Sequence, residues 1–320
     1  MPIVKAAVCR EFGAPLVIED IQLRAPVMGE IEVTLDAVAV CHSDISFADG
    51  AWGGSLPAVY GHEAAGRVTD VGPGVSNLAN GDSVIVTLIR SCGTCPSCAG
   101  GKPTICETAY DGDLGPISTM DGGTLHQAMA CGAFAEKVVV DQRQVVKVPD
   151  DMNMQAASLI ACGVITGVGA VVNAAQFRAG QDAVVIGAGG VGLNAIQGAR
   201  IAGARRIVAV DMTQEKLDDA KAFGATHGVL ATQKSPWRAA FKALGGKGAD
   251  AVLVTVGAIP AYDDALRYLG AGGKVIMVGM PHSGAMASYE PVVQSFMGQG
   301  MIGSKMGDTV IQRDIPWMVD

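Results

Sequence analysis

The sequence lacks an excess of positive charge: its 320 residues include 23 lysines and arginines against 31 aspartates and glutamates, a formal net charge of −8. A surface with this average sign repels nucleic-acid phosphates, which argues against a nucleic-acid partner. The first ten residues also lack the basic region and following apolar run of a secretory leader. With eight cysteines in the chain, this absence predicts a reducing, cytoplasmic location.

Internal repeats, low-complexity tracts and coiled-coil heptads are missing as well. Charged residues are absent from positions 152–177, and hydropathy alone would allow this segment to span a membrane. Polar residues interrupt its apolar face, however: Asn153, Gln155, Asn173 and Gln176. We therefore expect a buried helix and no membrane partner.

The chain is long enough for two domains with complete hydrophobic cores. Up to about Val148 the pattern is short alternating strands broken by glycine and proline, which predicts an all-β, barrel-like domain. After Pro149, buried strands alternate with helical stretches, beginning with the strands at 183–187 and 206–211. Such alternation predicts a parallel, doubly wound sheet, so the expected fold class is α/β.

Four cysteines, separated by two, two and seven residues, lie in the run SCGTCPSCAGGKPTIC: Cys92, Cys95, Cys98 and Cys106. Two-residue spacing lets one tight loop surround a tetrahedral Zn²⁺ with thiolates, which predicts a structural zinc site. Buried or disulfide-paired cysteines explain the repeat poorly. An iron–sulfur cluster is disfavoured because the last spacing is long and no proline follows Cys106. A zinc-ribbon binding module would explain this run and nothing else.

The motif GAGGVG follows the first buried strand and opens a helix, with Gly187, Gly189 and Gly192 at the G-x-G-x-x-G positions. Missing side chains there let the backbone approach a pyrophosphate at the helix N-terminus. Asp211, at the end of the second strand, can accept hydrogen bonds from ribose hydroxyls. Because its carboxylate would repel a 2′-phosphate, the pattern favours NAD over NADP. Lys216 either reaches the same ribose or is a solvated helix residue.

The motifs CHSD, GHE, the four-cysteine run, CGVITG, GAGGVG and Asp211 occur in an order that resembles the zinc-dependent medium-chain alcohol dehydrogenases over nearly the whole chain. The resemblance implies a GroES-like catalytic domain at 1–163 and 303–320, with an NAD-binding Rossmann domain at 164–302. It implies hydride transfer between NAD and a primary or small secondary alcohol, giving an aldehyde or ketone.

Chains of that family continue for a few dozen residues beyond the segment resembling DIPWMVD. The resemblance therefore implies that the C-terminal part of the catalytic domain is truncated. It leaves open a catalytically impaired homologue with a structural or regulatory role.

Carried over by position, Cys41, His62 and Cys162 would bind a catalytic zinc and leave its fourth position for water or substrate. Asp44 would orient His62 through the other nitrogen of the imidazole. Glu63 lies beside the zinc in this family, where it would tune or approach the metal. A buried partner for a nearby cation is the alternative for Glu63.

Ser43 resembles the hydroxyl that hydrogen-bonds the substrate alcohol and accepts its proton. Many relatives end this relay with a histidine three residues later, where this chain has Ser46, so we expect a water chain or a different base. His42 matches a position that faces the cofactor pyrophosphate, and a solvated loop histidine is the alternative. Three further positions are assigned to the cofactor site: Thr166, Gly190 and Val191.

Trp52 and Leu88 should line the alcohol pocket by position, and the bulk of Trp52 favours small primary or flat aromatic alcohols. Loop and barrel packing is the alternative for both residues. The apolar segments KVIMVG and GMIGS predict a sheet edge that a second subunit would cover. We therefore expect a homodimer or homotetramer.

Overall fold

Two separate groups of strands organise the chain in the computed structural model, which describes residues 2–320. One compact unit contains residues 2–162 together with Val310–Asp320, and a second contains Gly163–Thr309. The sequence placed the second boundary at 302/303, several residues earlier. The difference arises because Thr309 belongs with the second unit, where its hydroxyl donates to the carbonyl of Ile165 at 3.3 Å.

The first unit is built mainly from short strands, as expected. Its strands are β1 Ile3–Cys9, β2 Val17–Leu23, β3 Glu30–Ala39, β4 Ala58–Val59, β5 Glu63–Val71, β6 Ser83–Val86, β7 Ile117–Ser118, β8 His126–Gln127, β9 Lys137–Asp141 and β10 Val145–Lys147. Its helices are α1 His42–Ala48, α2 Pro96–Ala99, α3 Met154–Leu159 and α10 Ile311–Val319.

These strands form two five-stranded sheets, in the orders β7-β2-β1-β4-β8 and β10-β6-β5-β3-β9. Strand β1 shows the alternation that a half-buried strand requires: Val4, Ala6 and Val8 are buried, whereas Ile3 and Lys5 are exposed. The two sheets make a near-closed barrel, which confirms the predicted barrel-like domain.

The second unit alternates strands and helices. Its strands are β11 Asp182–Ile186, β12 Arg206–Asp211, β13 His227–Leu230, β14 Ala249–Val254, β15 Leu269–Met277 and β16 Gly300–Gly303. Its helices are α4 Ile165–Gly169, α5 Gly190–Ile201, α6 Gln214–Ala222, α7 Pro236–Ala243, α8 Ile259–Ala265 and α9 Pro291–Met297.

The six strands form one all-parallel sheet in the order β13-β12-β11-β14-β15-β16. Every residue of the central strand β11 is buried, because helices cover both faces of such a sheet. The order is that of a dinucleotide-binding sheet, which places ligands at the carboxyl ends of β11 and β14. The α/β prediction is confirmed, and β16, the GMIG segment, is an edge strand.

The uncharged segment forms a continuous helix, Met154–Ala174, which is long and apolar enough to cross a membrane. Because 67% of its most apolar window is buried inside the structure, it is a core helix of the fold, as predicted. Two wider π-helical turns interrupt it, Ile160–Val164 and Ala170–Ala174. The first of these carries Cys162, and π-turns are common at functional sites.

Candidate metal and cofactor sites

The four-cysteine run folds into a small loop, here called the zinc lobe (Cys92–Cys106). All four sulfurs lie within 4.8 Å of one another, and those of Cys92 and Cys98 are 4.0 Å apart. Tetrahedral coordination with Zn–S bonds of about 2.3 Å requires sulfurs about 3.8 Å apart. The zinc lobe therefore fits a four-thiolate Zn²⁺ site. Within residues 2–320 all eight cysteines are free of disulfides, which removes the disulfide alternative.

Backbone N–H groups of the zinc lobe point at its sulfurs. The Cys95 and Thr94 N–H groups donate to the Cys92 sulfur at 3.2 and 3.4 Å. The Cys98 N–H donates to the Cys95 sulfur at 3.4 Å and so caps helix α2. Hydrogen bonds from the Thr108 hydroxyl and from these backbone groups lower the pKa of Cys92 to about 5. The loop thus stabilises a thiolate, the form that binds metal.

A second cluster brings together residues far apart in sequence: Cys41, His62, Glu63 and Cys162. Cys41 lies at the N-terminus of α1, His62 and Glu63 at the start of β5, and Cys162 in the π-turn. Their ligand atoms lie within 4.8 Å of one another. The predicted ligands of the catalytic zinc therefore meet in one place within the first unit, and we call this group the central cluster.

His62 carries the observation that favours a metal in the central cluster. Its side chain is 1% exposed, and within residues 2–320 its Nε2 is buried without a hydrogen-bond partner. Leaving a buried polar nitrogen unpaired costs about 1–3 kcal/mol. A Zn²⁺ ion bound by Cys41, His62 and Cys162 would remove that cost, and the two-thiolate, one-imidazole donor set suits zinc.

Asp44 holds the central cluster from behind. Its carboxylate accepts hydrogen bonds from the Cys41 N–H at 2.9 Å and the Gly61 N–H at 3.0 Å, and it contacts His62 Nδ1 at 2.9 Å. Asp44 itself is 2% exposed. One carboxylate thus fixes two of the three segments that carry ligands, those of Cys41 and His62, and directs Nε2 of His62 toward the sulfurs.

The pKa values of the central cluster are shifted because its ionisable groups are buried and lie close to one another. The hydrogen bond from Cys162 lowers the pKa of Cys41 to about 3. Burial opposes the charged form of His62, but Asp44 and Cys41 outweigh it and raise the His62 pKa to about 10. Burial, and next the charge of Cys41, raise the pKa of Glu63 to about 8. Such strong shifts in one small group are typical of a functional site.

The glycine turn in the second unit fits a pyrophosphate. Gly187 has φ +97°, and a Cβ on it would lie 2.4 Å from a side-chain carbon of Val256. A Cβ on Gly192 would lie 1.8 Å from the carbonyl oxygen of Gly187, so both positions need glycine. The space beside Gly189 and Gly190 is open at the N-terminus of α5, a 12-residue helix. An anion there would meet unpaired N–H groups.

Asp211 ends β12 next to this turn, as predicted. Its carboxylate accepts hydrogen bonds from the Ala188 N–H and the Met212 N–H, both at 2.7 Å. A carboxylate offers about four acceptor positions, so two remain for a ribose. Thr213 caps α6 through its hydroxyl, and Lys216 on the same helix is exposed.

The remaining predicted residues stay predictions. Ser43 is half-buried and His42 exposed, both on α1 of the first unit. Trp52 is half-buried and packs edge-on against Phe47 with ring centroids 4.9 Å apart. Leu88 is half-buried just after β6. Thr166 on α4 and Val191 on α5 belong to the second unit.

Sequence reasoning missed the arginine beside the zinc lobe. Arg143 donates to the carbonyl oxygen of Cys92, and its guanidinium is paired with the buried Asp141. Neither residue lies in a motif, because the contact joins positions 51 residues apart. The π-turn that carries Cys162 was also unforeseen.

Comparisons with known proteins agree with this geometry. The alcohol dehydrogenase GroES-like domain family matches residues 28–150, and the zinc-binding dehydrogenase family matches residues 190–320. The NDMA-dependent alcohol dehydrogenase of Amycolatopsis methanolica is 37% identical over 307 residues, which cover 91% of this chain and 82% of the relative. The class-3 alcohol dehydrogenase of Cereibacter sphaeroides is 36% identical over 338 residues, covering 99% and 88%.

A solved structure supports the same conclusion. The benzyl alcohol dehydrogenase of Acinetobacter calcoaceticus superposes with a TM-score of 0.93 at 29% identity, covering 100% of this chain and 88% of the other. The family matches to both halves of the sequence, the two candidate metal sites and the fold thus indicate the same family. The chain belongs to the zinc-dependent medium-chain alcohol dehydrogenase family and is an oxidoreductase of that type.

Proposed function

We propose that this chain interconverts a primary or small secondary alcohol and its aldehyde or ketone by hydride transfer with NAD. The observation that carries the proposal is the buried, unpartnered Nε2 of His62, aimed among two cysteines within residues 2–320. A structural role alone would not require an unpaired nitrogen at that place. The zinc-ribbon alternative accounts for the zinc lobe but not for the central cluster.

In this proposal Cys41, His62 and Cys162 hold the catalytic zinc, which when bound acts as a Lewis acid on the alcohol oxygen. Asp44 keeps the ligand segments in register through its three contacts. The Ser43 hydroxyl accepts the proton of the alcohol and passes it on. Glu63, buried beside the ligands, adjusts the charge of the site.

The cofactor binds over the glycine turn, with its pyrophosphate at Gly189, Gly190 and Val191. The open N-terminus of α5 supports this placement. Asp211 binds the adenosine ribose and disfavours a 2′-phosphate, which gives the preference for NAD. Two further residues of the same unit contribute contacts to this cofactor, Thr166 and Lys216, and the cofactor role of His42 is proposed from the family resemblance alone.

For the substrate we propose small primary or flat aromatic alcohols, with Trp52 and Leu88 in the pocket wall. The edge-on packing of Trp52 against Phe47 supports a fixed indole and hence a narrow entrance. The structural similarity to an enzyme named for benzyl alcohol supports the aromatic members of this class.

We further propose that the protein is a homodimer or homotetramer in the cytoplasm. The edge strand β16 exposes Met301, and the neighbouring helix α9 exposes Val292 and Phe296, the latter 88% exposed. An apolar edge of this kind invites pairing with a second copy. Sedimentation that shows a monomer at micromolar concentration would contradict this part.

The test is a panel of aliphatic and aromatic alcohols, with absorbance of the reduced cofactor followed for NAD and NADP separately. A parallel series includes added NDMA, because one relative is named for its dependence on it. We expect NAD-linked turnover that is lost when a chelator removes zinc. Two bound zincs without turnover on any alcohol would favour the catalytically impaired homologue instead.

A further inference from the structure

With zinc bound, the zinc lobe carries a net negative charge, which a cation outside the lobe would stabilise. Four thiolates around one Zn²⁺ leave a net charge of about −2. The lobe contains one cation of its own, Lys102, which is exposed to solvent. A buried or half-buried anionic cluster is stabilised far more by a fixed cation than by a solvated one.

Arg143 is a cation beside the lobe whose side chain is 43% exposed but is held in place by hydrogen bonds. Its Nη1 donates to the carbonyl oxygen of Cys92, the first ligand residue of the zinc lobe. Its Nε and Nη2 donate to the two carboxylate oxygens of Asp141 at 2.8 and 2.6 Å. The Asp141 side chain is 8% exposed. A two-pronged pair of this kind fixes the plane of the guanidinium, which a lysine could not do.

The short turn that carries Arg143 is itself held by the barrel. Gln144, fully buried, donates from its amide to the carbonyl oxygens of Thr87 and Ala130, both at 2.9 Å. From helix α10, Gln312 donates to the carbonyl oxygen of Arg143 at 3.1 Å. Hydrogen bonds to the barrel and to α10 therefore hold the backbone of this turn, and the guanidinium extends from it to the zinc lobe.

The Cys92 residue is thereby fixed on both sides. Its carbonyl accepts from Arg143, and its N–H donates to the sulfur of Cys106, the last ligand, at 3.3 Å. Displacing the Cys92 backbone would move the first sulfur and weaken a hydrogen bond to the last one. Outer partners of metal ligands commonly change metal affinity 10- to 100-fold.

We propose that Arg143, held by Asp141, is a positioning residue for the structural zinc: it fastens the zinc lobe to the barrel through the carbonyl oxygen of Cys92. Its loss makes the lobe zinc labile while the central cluster keeps its metal. The inference concerns retention of the lobe zinc and does not depend on the proposed enzymatic activity.

The test compares zinc-loaded wild-type protein with Arg143→Met, Arg143→Lys and Lys102→Met. An excess of a chromogenic chelator reports zinc release, and iodoacetamide labelling with peptide mass mapping reports when the lobe cysteines become accessible. Arg143→Met should accelerate both signals about 10- to 100-fold. Arg143→Lys should give rates between those of wild type and Arg143→Met, because lysine keeps the positive charge but loses the two-pronged pair with Asp141. Lys102→Met removes the same charge from the lobe itself and should stay within about twofold of wild type.

Wild-type rates in Arg143→Met would overturn the proposal. Equal acceleration in Lys102→Met would also overturn it, since charge alone would then explain the effect. If Arg143→Met fails to fold by circular dichroism, Asp141→Asn serves in its place, because it keeps the arginine but removes the fork. Faster lobe release is expected from Asp141→Asn, and a wild-type rate would refute the positioning role.

Discussion

The zinc lobe and the central cluster both gather cysteines round a metal position, but they bring their ligands together in different ways. The lobe takes all four ligands from Cys92–Cys106, and its own N–H groups stabilise the sulfurs. The central cluster takes Cys41, His62 and Cys162 from three separate elements. A local loop can make the first site, whereas only the complete barrel makes the second.

Burial separates the two sites as well. The lobe cysteines are half-buried, whereas His62 and Cys162 are buried and Cys41 is half-buried. Desolvation is therefore strong in the central cluster, where it raises the pKa of Glu63 to about 8. A polarised, partly dry site suits chemistry, and a closed four-thiolate loop suits structure. Changes in the two regions should accordingly have different consequences.

The largest expected difference concerns two serines. Ser43→Ala removes the proposed proton acceptor and should lower turnover about 10²- to 10⁴-fold with both zincs retained. Ser97 in the zinc lobe, whose hydroxyl donates to Glu107 at 2.6 Å, is the matched control, and Ser97→Ala should leave turnover unchanged. Steady-state kinetics with metal analysis measures both. Equal losses of turnover in Ser43→Ala and Ser97→Ala would contradict the assignment of catalysis to the central cluster and of structure to the zinc lobe.

The end of the proton route sharpens the same test. Neither Ser43 nor Ser46 titrates near neutrality, so the parent should show no inflection from an imidazole at the relay end. Ser46→Ala should cost far less activity than Ser43→Ala. Ser46→His should add an inflection near neutral pH to single-turnover hydride transfer. An unchanged profile in Ser46→His would show that the proton leaves by another route.

Asp44→Ala should have the next largest effect. It removes the acceptor of the Cys41 and Gly61 N–H groups and the partner of His62, so the central zinc should bind about 10- to 100-fold more weakly. The zinc lobe should keep its metal. Asp49→Ala, an exposed acid at the end of the same helix, is the control. Competition with a chelator gives both affinities, and loss of the lobe zinc first would contradict the account.

A substitution of Asp211 should leave both zinc sites unchanged and alter only the cofactor preference, so we expect the smallest effect from it. Asp211→Asn keeps an acceptor for the Ala188 N–H but removes the charge, so the preference for NAD over NADP should narrow by roughly 1 to 3 kcal/mol. Glu215→Gln, an exposed acid in the first turn of α6, should leave it unchanged. Fluorescence titration with NADH and NADPH measures the ratio. Wild-type protein that binds both equally would contradict the argument.

Sequence spacing was sufficient for the zinc lobe and the glycine turn, because each is a local structure. The strands at 183–187 and 206–211 were also predictable, since their central residues form the apolar runs of buried parallel strands. Spacing could not reveal that Cys41, His62 and Cys162 converge, which the family resemblance supplied. It could not reveal Arg143 either, because that contact depends on how the turn after β9 is held against the barrel.

The boundary between the compact units, 309/310, differs from the 302/303 expected from the sequence, and the domain bounds stay a prediction. A Cβ on Gly169 would lie 2.4 Å from the carbonyl oxygen of Gly307, so the turn around Gly307 packs closely against the α4 segment. A close backbone contact of this kind leaves no hydrophobic pattern in the sequence. It becomes visible only when both segments are in place.

The most direct test of the central claim is metal analysis and turnover on one Cys162→Ser preparation, with Cys98→Ser beside it. We predict that Cys162→Ser loses one of two zincs and all measurable turnover while it keeps its circular dichroism spectrum. Cys98→Ser should lose the other zinc and unfold at a lower temperature. Two zincs and full turnover in Cys162→Ser would contradict the assignment of the central cluster as the catalytic metal site.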